Sequence, residues 1–454
     1  MGVSTARLIR SSVLVFLFST LGCGGGVDGT SGSRAFVEWV SDNAIEIESL
    51  DLSASTADLA AIDPLIGSAR LVGLGESRHD TREQLRLKGR LVRHLIEDLG
   101  FRVLILEEST AHAEALDRLV RTGEGDPRTV LNQLAGWYLW DTEEMLELVE
   151  WIRDFNRLLP SDRQVRIFGN DITAPALGVE QVLEALDRLG INTGLDAQTL
   201  GLDLQEGDFW PTTWQRYGSL SDERRVEITR GYERLIEALG SNRDAIVAAF
   251  SEDTYERLLL LSEIGQSGNS MFLTTDRKEG GTIRETGMSN TTLWILDHAA
   301  GDQPAILWAH NLHVATGPFQ MPGLAEGDLF PMGVQLESAL GDDYIAIGGS
   351  FSRGLYPHDL PPGERVFEEP SADVMDGALA RVGRSPFILD LRKARADPAA
   401  RAWLAQPREW TAQDADALLT PTESFDLVYF VEEISRSQPS SLALQRFQAL
   451  SNQR

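Results

Sequence analysis

Short apolar runs alternate with amphipathic stretches along most of the chain. Arg70-Leu71-Val72-Gly73-Leu74 reads as a buried strand, and the residues from about Thr81 to Leu99 follow it as a helix. Phe101 to Leu106 is a second strand, Val165 to Phe168 a third, Ala305 to Trp308 a fourth and Tyr344 to Ile347 a fifth, while Phe425 to Phe430 supplies a late one. Apolar runs of this length, without strict alternation of polar positions, suit strands covered on both faces. The pattern therefore predicts an α/β fold, with a mainly parallel sheet flanked by helices.

The helical signals fill in the rest. Phe36 to Leu50 has an amphipathic pattern, and from Glu143 to Phe155 the residues Met145, Leu148, Val149 and Ile152 share one face, with Asp141 as a candidate cap. Residues 196–267 lack strand patterns and are expected to form a predominantly helical insertion or lid. From Tyr356 to Glu369, prolines and charges predict an irregular surface loop.

The start of the chain has a different character. Arg7 and Arg10 precede the apolar run Val13 to Phe18, and small residues lead to Leu21-Gly22-Cys23. This is the anatomy of a secretory signal, with an apolar stretch too short to span a bilayer. Cys23 is the only cysteine, so no internal disulfide is possible, and its position resembles a bacterial lipoprotein processing site. The expected organisation is a signal over 1–23 ending at a lipidated Cys23, a Gly/Ser-rich tether over 24–34, and one enlarged domain over 35–454. An ordinary signal peptide with an incidental cysteine is the alternative. The expected location is the bacterial cell envelope, with membrane contact only through the anchor.

Charge narrows the partners. Sixty-nine acidic against 41 basic residues give a formal net charge of −28, and no Lys/Arg-rich run interrupts the balance. Such a surface repels phosphate backbones, so a nucleic-acid partner is not expected and a small-molecule substrate is.

The candidate chemistry follows the strands. Glu76 and His79 come after the first, Glu107 after the second, Asn170-Asp171 after the third, and His310-Asn311-Leu312-His313 after the fourth. Ligands of open parallel sheets bind beyond the carboxyl ends of the strands, so these clusters should converge. Three of the chain's seven histidines lie in them. Glu76 can fix the tautomer of His79, as a general base requires, although helix capping and packing explain the same pair. Glu107 leaves an apolar strand and needs either a cationic partner or an elevated pKa. Local pattern alone makes Arg284 a surface arginine and Asp171 a turn residue. His310 and His313 with Glu76 and His79 have the composition of a zinc site, but no His-Glu-x-x-His helix is present, and no metal or other cofactor is expected. There is no Gly-x-Ser-x-Gly elbow, and Cys23 is spent at the terminus, so neither a serine nor a cysteine nucleophile is indicated.

Taken together, Gly75-Glu76-Ser77-Arg78-His79, Lys88, and Gly100-Phe101 leading to Glu107 resemble the opening block of the erythromycin esterase family. The Trp140 to Asn156 helix, Gly169-Asn170-Asp171, Arg284-Glu285 with Met288, Ala309-His310-Asn311-x-His313 and Pro331-Met332-Gly333 resemble its later blocks, in order, so the resemblance spans roughly Leu71 to Gly354. It implies an α/β hydrolase domain with a helical insertion that cleaves an ester, the macrolide lactone in the best-known members. By the same resemblance, His79 is the base that activates water, and Glu76 and Glu107 orient base and water. Lys88, Arg284, His310 and His313 line the site and stabilise the oxyanion, and Asp171 and Asn311 contribute to substrate binding. The sequence departs from the family where Arg78 and Asp80 replace the usual Thr and Gly, and where Glu285 replaces an Asp. A metal-assisted hydrolase or transferase, and a non-catalytic envelope lipoprotein that binds a glycan or lipid, are the competing expectations.

Overall fold

The computed structural model describes residues 31–205, 210–322, 325–359 and 362–452. Its strands are β1 (Ile45–Glu46), β2 (Leu71–Leu74), β3 (Val103–Ser109), β4 (Arg166–Asp171), β5 (Ala305–Trp308), β6 (Phe319–Gln320), β7 (Tyr344–Asp359), β8 (Pro362–Phe367), β9 (Phe387–Asp390), β10 (Arg408–Ala412), β11 (Ala415–Leu419) and β12 (Leu427–Ser435). The main sheet has the order β1-β9-β12-β7-β2-β5-β3-β4, with β8 paired to β7 outside that path. From β12 to β4 every neighbouring pair is parallel. β9, β1 and β8 join antiparallel. β10, β11 and β6 form a small separate antiparallel sheet.

Alternate residues of the same strands feed two different cores, which is why the strands read as unbroken apolar runs. On one face Val72, Leu74, Leu104, Leu106, Ile306 and Trp308 pack with Leu87 and Leu91 of the Arg82–Glu97 helix and with Leu148 and Ile152 of the Glu143–Asn156 helix. On the other face Leu71, Ile105, Leu307 and Ala346 pack with Phe36, Met288, Ile295 and Leu336. Between β4 and β5, flanked by the helices Ala176–Arg188 and Arg277–Trp294, lie Trp210–Gly218, Asp222–Ser241, Arg243–Ala249 and Glu252–Leu273. Ile228, Tyr232, Leu235 and Leu239 of the second of these meet Leu258 and Leu261 of the last, together with Val179 and Val182, in a core of their own. No strand occurs among the described residues of 196–267.

Several expectations are corrected. The first helix is Ser31–Asn43, not Phe36 to Leu50; it starts inside the expected tether and stops where Ile45 leaves to pair with Ile388. The Glu143 helix is capped by Thr142, whose hydroxyl accepts from Met145 N at 3.2 Å. Asp141 instead accepts from Asn132 Nδ2 (2.7 Å) and Ser440 Oγ (2.6 Å), pinning the last helix, Ser441–Asn452. The Tyr356 to Glu369 stretch is no irregular loop: Gly354–Asp359 pairs with Pro362–Phe367 as a hairpin that continues β7 beyond the sheet. Pro362 is tolerated as the first residue of β8, which among the described residues pairs only with β7. The proposed signal and Cys23 lie outside the described residues, and among the described residues no helix is long and apolar enough to cross a membrane.

Candidate active site

Parallel pairing sets one row of partners across the sheet: Ile347, Leu74, Trp308, Leu106 and Gly169. Immediately beyond that row the chain places Glu76, Glu107, Asn170, Asp171 and His310. The strands run the same way, so these residues meet at the carboxyl edge of one sheet, where an open α/β fold forms its crevice.

Glu76 organises the first half of the site. Its Oε1 lies 2.9 Å from His79 Nδ1, and its Oε2 contacts the Lys88 ammonium. Lys88 is fully buried on the Arg82–Glu97 helix, donates to the Ala309 carbonyl at 3.2 Å and sits 4.4 Å from the Trp308 ring centroid. Burial pulls its ammonium well below the usual lysine range, with Glu107 opposing. Burial also lowers His79 from 6.5, against the raising effect of Glu107 and Asp80, so its imidazole is neutral at pH 7. With Nδ1–H donated to Glu76, Nε2 keeps its lone pair and has no protein partner among the described residues. About 20% of the His79 side chain remains open.

Arg284 organises the other half. It is not a surface residue: its Nε donates to Asp171 Oδ1 (3.1 Å), and its Nη2 donates to Asp171 Oδ2 (2.8 Å) and Glu107 Oε1 (2.8 Å). Asp171 does form the expected turn, accepting from Thr173 N and Oγ1, and grips the guanidinium as well. His313 stands between two carboxylates, with Nε2 3.1 Å from Glu107 and Nδ1 2.7 Å from Glu285. Burial disfavours its charge, but Glu107 and Glu285 outweigh burial and push it up to about 10. Glu107 moves the opposite way: burial raises it, and His313, His79 and Arg284 hold it well below the usual carboxylate range. Its need for a cation is met twice over.

As an imidazolium, His313 directs Nε2–H to Glu107 and cannot accept from Arg284 Nη1, although the two nitrogens lie 3.1 Å apart. The Nη1 hydrogens therefore have no protein acceptor among the described residues.

The remaining candidates are committed to the protein itself. His310 donates Nε2–H to the Ser77 carbonyl (3.1 Å), and its Nδ1 accepts from Leu312 N (3.2 Å). Burial, with His79 and His313 nearby, keeps it neutral. Asn311 spends its amide on the backbone of Gly349, donating to the carbonyl at 2.7 Å and accepting from the nitrogen at 2.8 Å. Both of its amide atoms are thus engaged in tying the segment after β5 to β7. Lys88 lies behind Glu76 rather than on the cleft wall. Among the described residues no cluster of three or more His, Cys, Asp or Glu side chains is disposed to hold a metal.

Sequence reasoning missed several contributors. Glu285, adjacent to Arg284, anchors His313 and accepts from Met332 N at 2.8 Å; its place in the Arg-Glu motif was the available signal. Glu108 points to the opposite face from Glu107, accepts from the backbone nitrogens of Ser109 (2.7 Å), Gly136 (2.8 Å) and Ala135 (3.1 Å), and is pushed up to about 7 by burial. Gln84 holds Ser77 through both its amide atoms. The two flanking departures also acquire a structural account. Asp80 has φ 51°, the left-handed conformation that glycine adopts freely. Arg78 is buried, paired with Asp414 and stacked 3.8 Å over Tyr356.

The model of the erythromycin esterase family matches residues 96–434. The match begins after Glu76, His79 and Lys88 and contains every other candidate in the crevice. The chain is 24% identical over 375 residues to the erythromycin esterase type II of Escherichia coli, covering 77% of this chain and 87% of that one. Its fold is similar to the crystal structure of a Bacillus cereus protein (TM-score 0.76, 22% identity, 90% of this chain and 99% of that one). It is also similar to an erythromycin esterase mutant in its open conformation (TM-score 0.67, 20% identity, 85% and 96%).

Proposed function

The chain belongs to the erythromycin esterase family, and on that premise we propose that it hydrolyses a carboxylic ester or lactone by direct attack of water activated at His79. One observation carries the reading: a neutral imidazole with Nδ1 held by Glu76 at 2.9 Å and Nε2 unpartnered in the crevice. That is the state a general base needs. In the proposed step the water oxygen attacks the carbonyl carbon while its proton passes to His79 Nε2. Glu76 stabilises the resulting imidazolium, and the Arg284 Nη1 hydrogens meet the oxyanion. Collapse of the tetrahedral intermediate breaks the ester C–O bond, and the leaving alkoxide takes the proton back from His79.

Glu107 and Asp171 keep the guanidinium fixed, so that its donors need not reorganise when charge develops. Erythromycin, which two of the similar proteins carry in their names, is the first substrate to test. Export and lipidation at Cys23 belong to the same proposal, supported by Arg7, Arg10 and the apolar run before Leu21-Gly22-Cys23.

The test is a panel of chromogenic esters and macrolides assayed on purified protein, wild type against His79→Ala, with and without chelator. Turnover that needs His79 and ignores chelator is expected. Full activity in His79→Ala on a confirmed substrate would overturn the assignment. For the anchor, Cys23→Ser should move the protein from the membrane fraction to the soluble envelope fraction, and an unchanged distribution would reject lipidation.

A further inference from the structure

The loop that carries His79 has little regular structure of its own, and it runs into Asp80 at φ 51°. Its shape has to be imposed from outside. Gln84 holds Ser77 from beneath, and a second element presses on it from the opposite end of the chain. Ala412 and Ala415 are the last partners of β10 and β11, so Gln413 and Asp414 form a two-residue turn.

Four polar groups of that turn are spent on three successive residues of the loop. Gln413 N donates to Ser77 O at 2.7 Å. Gln413 Oε1 accepts from His79 N at 2.9 Å. Gln413 O accepts from Arg78 Nη1 at 3.2 Å, and the Asp414 carboxylate pairs with the same guanidinium.

We propose that the β10–β11 turn is the positioning device for His79, with Gln413 as the residue that sets the imidazole against Glu76. The turn is itself held rigidly: Thr411 N donates to the buried Asp376 carboxylate at 2.8 Å, and Trp410 Nε1 donates to Gly349 O at 3.1 Å. The small sheet thus braces the carboxyl edge of the large one through this contact. Gln413 has φ 59°, a left-handed conformation at a hairpin position where glycine or asparagine is the favoured residue. A long side chain kept where its own backbone is strained points to a task for that side chain. Gln413 touches no reacting atom; it acts through the His79 main chain. The inference rests on His79 as the base for its effect on turnover, but the position of the ring can be read without any substrate.

That conflict between local strain and side-chain contact provides the test. In Gln413→Gly the backbone strain is relieved and the amide is lost, so the thermal midpoint should hold or rise. Turnover should meanwhile fall on the order of ten- to a hundredfold with KM little changed. The ring nitrogens of His79, assigned by comparison with His79→Ala in protein labelled with ¹⁵N-histidine, should shift as the contact to Glu76 loosens. Gln413→Glu keeps an acceptor for His79 N and should recover most of the turnover. It also adds a negative charge to the set already facing His79, namely Glu76, Asp80, Glu107, Arg284, His310 and His313. The imidazole should then titrate at higher pH, and the acidic limb of the rate profile should move with it.

An unchanged His79 spectrum in Gln413→Gly would overturn the proposal, as would a loss of thermal stability that accounts for the loss of turnover. A shifted ring in a protein whose activity does not depend on His79 would instead reject the base assignment and leave the positioning inference standing.

Discussion

His310 gives its Nε2–H to the carbonyl of Ser77 at 3.1 Å, and that contact makes the histidine nearest the proposed base a strut for the loop that carries the base. The ring centroids of His79 and His310 lie 4.9 Å apart, yet of the two only His79 has a nitrogen without a protein partner among the described residues. His79→Ala should therefore lower kcat on the order of a hundredfold or more while the thermal midpoint stays near that of the wild type. His310→Ala should lower the midpoint, and its residual activity should retain the acidic limb of the wild-type rate profile. That limb, measured on kcat/KM, should lie below pH 6.5, because burial lowers His79 and protonation removes the base. A limb that vanishes in His310→Ala would transfer the role to His310.

Arg284 neutralises two buried carboxylates at once, through bonds of 2.8 Å to Glu107 and 2.8 and 3.1 Å to Asp171. Arg284→Met should destabilise the fold by about 3–5 kcal/mol, since breaking a buried pair leaves uncompensated charge. Turnover should fall as well. Arg284→Lys should recover part of the stability and less of the activity, because an ammonium cannot serve both carboxylates in the planar fork geometry. Chemical denaturation and steady-state kinetics on the three proteins check both effects. Equal stability of Arg284→Met and wild type would contradict the ion network.

His313 predicts a dependence of stability on alkaline pH. Its value in the fold is about 10 against 6.5 for a free imidazole, so the fold binds its proton more tightly than the unfolded chain does. That contribution is fully present below pH 6.5 and is lost as pH rises through about 10. The difference in thermal midpoint between wild type and His313→Asn should be largest near pH 6 and narrow steadily towards pH 10. A constant difference would mean that His313 is not held as an imidazolium.

Asp80 separates backbone from side chain. Asp80→Gly and Asp80→Ala lose the same carboxylate, but only the alanine must hold φ 51° at steric cost. Asp80→Ala should be about 1–2 kcal/mol less stable than Asp80→Gly by urea denaturation. Equal midpoints would show that the loop relaxes away from this conformation.

The sheet was legible because its strands are buried on both faces: Leu71 to Leu74 and Ala305 to Trp308 have no solvent side to interrupt the apolar run. The hairpin after Gly354 was not, because Glu364 and Arg365 stand on an edge strand whose pairing nothing in the local pattern announces. The polar clusters after the strands could be located for the same reason as the strands. Their wiring could not. Arg284 meets partners 113 and 177 positions away, and Gln413 meets His79 across 334 positions, distances at which hydrophobic periodicity says nothing. Local pattern assigned Arg284 to the surface, and only the family resemblance drew it into the site. Asn311 lay in the right motif, but its bonds to Gly349 depend on how β7 aligns with β2 and β5, which no window along the chain reveals.

The row of partners Ile347, Leu74, Trp308, Leu106 and Gly169 also limits where this chain can change length. Side chains alternate along a strand, so removing one residue between Val103 and Leu106 would exchange the faces of everything that follows. Glu107 would swing away from Arg284 and His310, and Glu108 would arrive in its stead without its three backbone donors. Insertions and deletions should therefore accumulate in the return segments at the amino edge and in the helices from Trp210–Gly218 to Arg243–Ala249, ahead of the helix Arg277–Trp294 that carries Arg284. The four short strands nearest the crevice should keep their length as closely as the crevice keeps its residues.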